Sequence, residues 1–225
     1  MAAGIFVTGT DTGVGKTRVA VALLRGLAAD GFRAVGMKPV AAGVDDGRSG
    51  NADVRRLAAA STVVVAPADA NPYALAAPIA PHLAAARAGV AIDLDRCAAA
   101  CRRLAAASDF VVVEGAGGVL VPLGERIDML DLARRLGLPL LLVVGIRLGC
   151  LNHALLSALA IRTRGLTLAG WVANRVDPAM DAADANVAAL AERLGAPPFA
   201  DLRWAPGDEG APALRGAARL FGPAA

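Results

Sequence analysis

"GTDTGVGKT", residues 9–17, takes its first glycine from the apolar run "IFVTG" (5–9) and leads into "KTRVAVALLRGLAADG" (16–31). A short apolar run, a glycine-rich turn and an alanine- and leucine-rich stretch read as strand, loop and helix. In a loop of this kind, consecutive backbone N–H groups surround phosphate oxygens at the helix N-terminus. Gly13 and Gly15 let the backbone approach with no Cβ in the way. Lys16 supplies a compact ammonium that fits between β- and γ-phosphates, where a planar guanidinium would not. Thr17 supplies a hydroxyl for Mg²⁺. Five residues, not four, separate Gly9 from Gly15, so the strict template would begin at Thr10 and this loop is a variant of it.

Lysine is rare in this chain. Of 23 basic residues only Lys16 and Lys38 are lysine. Lys38 closes the apolar run "FRAVGMK" (32–38), and Pro39 fixes the backbone behind it. One lysine suffices to bind a nucleotide. A second, at another strand end, implies that charge must also be neutralised on something that joins the γ-phosphate in the transition state.

Composition bounds the class. The chain of 225 residues is expected to form one α/β domain, residues 1–225, with a substantial core. It is 56% hydrophobic but only 4% aromatic, which disfavours base stacking on aromatic platforms. The formal charge is only +3, and the paired arginines at 55–56, 102–103 and 134–135 read as solvated helix faces, so no nucleic-acid partner is expected. The apolar run 136–146 is broken by Pro139 and too short to span a bilayer, and "MAAGIFVTG" lacks a charged leader. Cys97, Cys101 and Cys150 read as buried thiols. A cytoplasmic protein without membrane association is expected.

Further strands are expected at 109–117, 138–146 and 166–174, with helices at 93–107, 128–137 and 151–165. Continuous apolar runs separated by helices indicate a mostly parallel sheet covered on both faces. The segment 61–82 carries four prolines and reads as a loop with little regular structure.

In such sheets function lies at the carboxyl ends of the strands. Glu114, after "FVVV", is a carboxylate suited to a nucleotide-bound Mg²⁺ opposite Thr17. Asp53 is either a second metal carboxylate or an ordinary acid of a first helical turn. Asn174, ending the run 166–174, either reads a base edge or is turn chemistry.

The motifs "GTDTGVGKT", "KPVAAG", "NPY", "PH", "VEGAGG", "GCLNHALL" and "LAGWVAN" stand in the order and spacing of the dethiobiotin synthetase family, which the chain resembles from about residue 5 to 175. The resemblance implies a P-loop NTPase fold. It also implies an ATP- and Mg²⁺-dependent ligase that closes the ureido ring of the biotin precursor from 7,8-diaminopelargonate and CO₂. By this resemblance Lys38 and Lys16 are catalytic, and Thr17, Asp53 and Glu114 hold the metal. Gly13, Val14, Gly15, Lys16, Thr17 and Arg18 hold the phosphates, and Glu114, Gly115, Ala116 and Gly117 line the nucleotide side. Asn174 and Arg175, with Arg203, Trp204 and Ala205, enclose the adenine. Thr12, Lys38 and Ala42 face the diamine. Gly149, Cys150 and Asn152 open a helix that receives the substrate carboxylate across a homodimer interface. His82 and His153 read as packing residues.

Two departures stand out. Ala42 replaces a hydroxyl usual in the family, and Arg203 replaces a proline, with Glu209 the nearby acid. A dimeric ATPase switch of the partitioning or division-site type is the alternative from another class. Such switches carry a lysine early in the loop, and Asp11 occupies that place here. A related ligase acting on a larger acid would usually append a glutamine-hydrolysing domain, and none is expected here.

Overall fold

The computed structural model describes residues 3–43, 50–205 and 212–221. Six strands form one parallel sheet: β1 (Ala3–Gly9), β2 (Ala34–Met37), β5 (Phe110–Glu114), β6 (Leu140–Ile146), β7 (Leu168–Arg175) and β8 (Ala200–Leu202), in the order β2-β5-β1-β6-β7-β8. The central strands are apolar along their length because both faces are covered. Phe6, Val113 and Leu142 pack into one core layer, and Ile5, Val112 and Leu141 into the other.

The helices are α1 (Lys16–Ala29), α2 (Ala52–Ala60), α3 (Pro67–Ala70), α4 (Pro81–Arg87), α5 (Leu94–Ala107), α6 (Met129–Leu136), α7 (Cys150–Thr163), α8 (Ala183–Leu194) and α9 (Ala217–Phe221). Several begin at side-chain caps. Asn51, Asp93 and Asp128 accept from first-turn N–H groups of α2, α5 and α6, and Asp128 with Asp131 completes a capping box. α1 and α7 differ. Each follows a left-handed glycine, Gly15 or Gly149, with no side-chain cap and no acid in its first turn. Their positive dipole ends stay open to an anion, although the first N–H of α7, that of Cys150, is given to the Arg147 carbonyl.

The proline-rich segment 61–82 is more ordered than its composition suggests. It contains α3, the strand β4 (Tyr73–Leu75) and the start of α4, and β4 pairs in parallel with β3 (Val40–Ala42). Pro67 and Pro81 open their helices, where the missing N–H costs nothing. Pro72 lies just outside a strand that has a single partner. The prolines start elements here; they do not break them. The three-residue strands β3, β4 and β8 are too short to carry a periodic signal.

The strand order reverses at β1, whose neighbours are β5 and β6. A crevice opens there at the carboxyl ends, which is where ligands sit in sheets of this kind.

Candidate active site

The crevice holds a cavity of about 770 Å³. Thr12, Gly13, Gly15, Lys16, Thr17 and Arg18 line it from the loop and α1. Lys38, Ala42, Asp53, Glu114, Ala116 and Gly117 line it from the other strand ends and from α2. Residues as far apart in the chain as Thr12 and Val121 are thus brought to one place.

The loop is braced from below. Val14 is 1% exposed and wedges against Gly9 and Gly145, where an added Cβ would stand 2.8 and 2.9 Å from its methyls. Its carbonyl accepts from Asn174 Nδ2 at 2.8 Å. Gly15 sits at φ 89°, and a Cβ there would stand 2.1 Å from Asn174 Nδ2. Only glycine meets both conditions. Asp11 ties the loop's upper side: Arg147 donates to its carboxylate at 2.6 Å and Lys16 Nζ to its carbonyl at 2.8 Å. The anion at position 11 therefore serves the loop of its own chain.

Lys38 lies between two carboxylates. Its ammonium, on a side chain 6% exposed, donates to Glu114 Oε1 at 2.5 Å and stands 2.9 Å from Asp53 Oδ2. Thr17 Oγ1 donates to Glu114 Oε1 at 3.0 Å. The backbone holding the lysine is pinned on both sides: Lys38 N–H donates to the Ala70 carbonyl at 2.8 Å, and Asn71 Nδ2 donates to the Lys38 carbonyl at 2.6 Å. Asp53 belongs to the first turn of α2, and its carboxylate also reaches Lys38.

Burial pushes the Glu114 carboxyl above the usual carboxylate range, with Lys38 pulling the other way. Against burial, Glu114 and Asp53 hold Lys38 above its ordinary value, and Lys38 holds Asp53 below the usual range. Burial pushes the Lys16 ammonium down to about 8, opposed by Glu114 and reinforced by Lys38. Lys16 and Arg56 also act on these carboxylates, yet Glu114 Oε2 is buried without a hydrogen-bond partner. Two hard carboxylates, a hydroxyl and an orphaned oxygen suit a divalent cation such as Mg²⁺.

Some expected residues stand elsewhere. Gly115 gives its N–H to the Val7 carbonyl at 2.9 Å and does not line the cavity. Cys150 is 2% exposed in the core and its N–H donates to the Arg147 carbonyl, so it has nothing to offer a substrate; Gly149 and Asn152 beside it are exposed. The Arg175 guanidinium, expected beside the adenine, is bound by Asp201 and Asp184, at 2.7 and 2.5 Å. The Asn174 amide is engaged by Arg18 and Val14 and braces the loop. The Arg203 carbonyl accepts from Arg18 Nη2 at 2.9 Å, while Trp204 is half exposed next to it and Ala205 is partly buried. His153 is exposed on α7, not packed. Glu209 lies outside the described residues.

Sequence reasoning missed Arg56 and the stretch 78–81, which also line the cavity. Arg56 stands three positions after Asp53, on the same helix face, a spacing legible once α2 is recognised. Pro78, Ile79, Ala80 and Pro81 carry no polar side chain that would point to chemistry.

A family model described as an AAA domain matches residues 3–208. The ATP-dependent dethiobiotin synthetase BioD of Nitrosospira multiformis is 57% identical over 88% of this chain and 86% of its own length. The protein of the same name from Aromatoleum aromaticum is 56% identical over 85% of this chain and 86% of its own. Among solved structures, the septum site-determining protein MinD complexed with Mg-ADP, from Pyrococcus horikoshii, is similar with a TM-score of 0.57 at 16% identity, over 98% of this chain and 89% of that one. A ParA family ATPase from Chlorobium tepidum gives 0.59 at 12% identity, over 95% and 92%. The last two likenesses show the fold alone: a phosphate loop on a mostly parallel sheet with helices on both faces.

Proposed function

The chain belongs to the ATP-dependent dethiobiotin synthetase family, within the AAA-domain family whose model spans it, and from that premise we propose how its cavity closes the ureido ring in biotin biosynthesis. It is a ligase that forms C–N bonds from 7,8-diaminopelargonate, CO₂ (or bicarbonate) and ATP. We read residues 1–225 as one catalytic domain.

The reaction balances in three steps. One substrate amine adds to CO₂ and loses a proton, giving a carbamate. A carbamate oxygen attacks the γ-phosphorus, the bond to the bridging oxygen breaks, and ADP leaves a carbamic–phosphoric anhydride. The second amine attacks the carbamoyl carbon, loses its proton and expels phosphate.

The protein's part is position and charge. The N–H groups of residues 13–17 surround the β- and γ-phosphates at the uncapped start of α1. Lys16 leaves the Asp11 carbonyl for a phosphate oxygen. Lys38 neutralises charge on the carbamate and the transferring phosphoryl group, so an anionic nucleophile can approach an anionic electrophile. Thr17, Asp53 and Glu114 would hold Mg²⁺, which when bound supplies a Lewis-acidic divalent charge to the β- and γ-phosphate oxygens. Thr12 and Ala42 face the diamine, with the hydroxyl that Ala42 lacks left unreplaced by its own side chain.

We place the substrate carboxylate at the start of α7, across a homodimer interface. Leu148, Leu156 and Leu159 are 92%, 56% and 62% exposed, and with Asn152 their spacing puts them on one face of the helix and the turn before it. A second copy covers that apolar face and brings Gly149 and Asn152 to its neighbour's crevice. The reaction draws on cytoplasmic ATP, and the three free thiols suit that compartment.

The observation that carries the proposal is Lys38 held between Asp53 and Glu114 at the mouth of the phosphate loop. The test is phosphate release from ATP with the diamine, bicarbonate and Mg²⁺ each omitted in turn. Release should require all three. Equal ATP hydrolysis without the diamine would overturn the reading.

A further inference from the structure

The "NPY" stretch, residues 71–73, takes no part in the mechanism above, yet it holds the residue on which that mechanism turns. Lys38 lies between the two sheets. The β2–β5 register ends at Met37 and the β3–β4 register begins at Val40, so neither ladder includes Lys38. The residue is buried, and one segment satisfies both of its main-chain groups. Its N–H donates to the Ala70 carbonyl at 2.8 Å, and its carbonyl accepts from Asn71 Nδ2 at 2.6 Å. The same amide donates to the Tyr73 carbonyl at 3.1 Å, and the Tyr73 N–H donates to the Pro39 carbonyl at 3.0 Å. A single side-chain amide thus ties the carbonyl of Lys38 to the first residue of β4.

The anchor is fixed in its turn. Asn71 follows α3 and gives its N–H to the Pro67 carbonyl at 2.8 Å. Arg103 of α5 donates to Asp69 of α3 at 2.9 and 2.6 Å, and Tyr73 Oη accepts from the Asp93 N–H at 2.8 Å. Without the Asn71 amide the buried Lys38 carbonyl loses this partner, and the turn from Met37 to Val40 loses a restraint. The Lys38 ammonium is also held at its tip, by Glu114 and Asp53. On the reading above it leaves them for the transferring phosphoryl group. Once the tip lets go, the backbone it swings from decides where a flexible stem delivers its charge. A misplacement of about 1 Å can cost roughly 100-fold in rate.

We propose, on the strength of the dethiobiotin synthetase reading, that Asn71 is a positioning residue for phosphoryl transfer. It touches no reacting group. It fixes the pivot of Lys38 and acts on kcat through that lysine, while nucleotide binding is left to the phosphate loop. An aspartate in its place keeps the shape but sets one acceptor against another at the Lys38 carbonyl.

The test has two readouts. Asn71→Ala and Asn71→Asp should each lower kcat for diamine-dependent phosphate release about tenfold or more, with KM for ATP within about twofold of wild type. Lys16 and Lys38 are the only lysines of the chain, so lysine labelled with ¹³C at Cε gives two NMR signals, assigned with Lys38→Arg. With Mg²⁺ and a non-hydrolysable ATP analogue bound, Asn71→Ala should shift or broaden the Lys38 signal and leave that of Lys16 in place. A merely structural role would displace both signals or neither. Asn71→Ser keeps a hydroxyl donor on a shorter stem, and it is read in the same two ways if Asn71→Ala does not fold. A kcat within about twofold of wild type, or equal displacement of both lysine signals, overturns the role of Asn71. If the wild-type enzyme shows no diamine-dependent release, the dethiobiotin synthetase reading itself fails; a wild-type enzyme that turns over beside an unimpaired Asn71→Ala sinks only the present proposal.

Discussion

Lys38 and Glu114 leave the ends of neighbouring parallel strands, β2 and β5, and meet at 2.5 Å with both side chains almost wholly removed from solvent. Residues 37 and 113 are register partners, so the pairing of the strands fixes the meeting of the next residues. A buried carboxylate with one oxygen left unpaired, held by an ammonium that a second carboxylate also claims, is poised for exchange of cations. On the proposed reading Asp53 and Glu114 would hold a divalent cation, and the Lys38 ammonium would turn toward phosphate.

Replacing Lys38 by arginine keeps the charge and loses the compact geometry. Lys38→Arg should lower kcat for phosphate release by about 100-fold or more, because a planar fork cannot occupy the narrow place between carboxylates and phosphoryl group. The melting temperature should change by only a few degrees, since a cation still faces Glu114. Turnover near the wild-type value would remove the role assigned to Lys38.

Much of this arrangement was legible in the sequence, and the parts that were not have physical reasons. The loop and Lys38 follow apolar strands and Glu114 ends one, and such ends are easily found. Asp53 could not be settled from its own position, because a first-turn acid looks the same whether or not a cation stands opposite it. The surroundings of Asn174, Arg175 and Cys150 were not legible, because they come from far along the chain: Arg18, Asp201 and the packed core respectively. The prolines of residues 61–82 hid α3, β4 and the start of α4, since proline at the first position of a helix reads as a breaker until the helix behind it is seen.

Lys16 predicts a pH signature. Burial holds its ammonium at about 8 in the nucleotide-free protein, below its ordinary 10.5. The fold therefore disfavours the charged form, a cost present below pH 8 and relieved as pH rises from there toward 10.5. A bound polyphosphate restores the charge, so binding takes up a proton within that window. Calorimetry of ATP binding in metal-free buffers of different ionisation enthalpy should give roughly three quarters of a proton taken up at about pH 8.5. Affinity should fall as pH rises above 8. No proton uptake at that pH would contradict the burial argument.

Gly15 tolerates no side chain. Gly15→Ala combines a left-handed backbone with a contact of 2.1 Å to Asn174 Nδ2. It should lower stability to urea by about 2–4 kcal/mol, through backbone strain and loss of the Asn174 hydrogen bonds, and abolish nucleotide binding. A loss below about 1 kcal/mol with normal binding would show that the loop can shift.

The exposed leucines of α7 make the dimer testable. Sedimentation of the wild-type chain should show a dimer, and Leu156→Arg should give monomers that bind ATP but turn over the diamine at least about tenfold more slowly. A wild-type monomer with full turnover would contradict a substrate site shared between copies.

The most direct measurement is a crystal structure with Mg²⁺, a non-hydrolysable ATP analogue and the diamine. The account predicts that Lys38 Nζ leaves Asp53 and Glu114 and stands, with Lys16 Nζ, within about 2.7–3.2 Å of oxygens on the terminal phosphoryl group or the nucleophile facing it. Lys38 still seated between its two carboxylates, with nucleotide and metal in place, would contradict it.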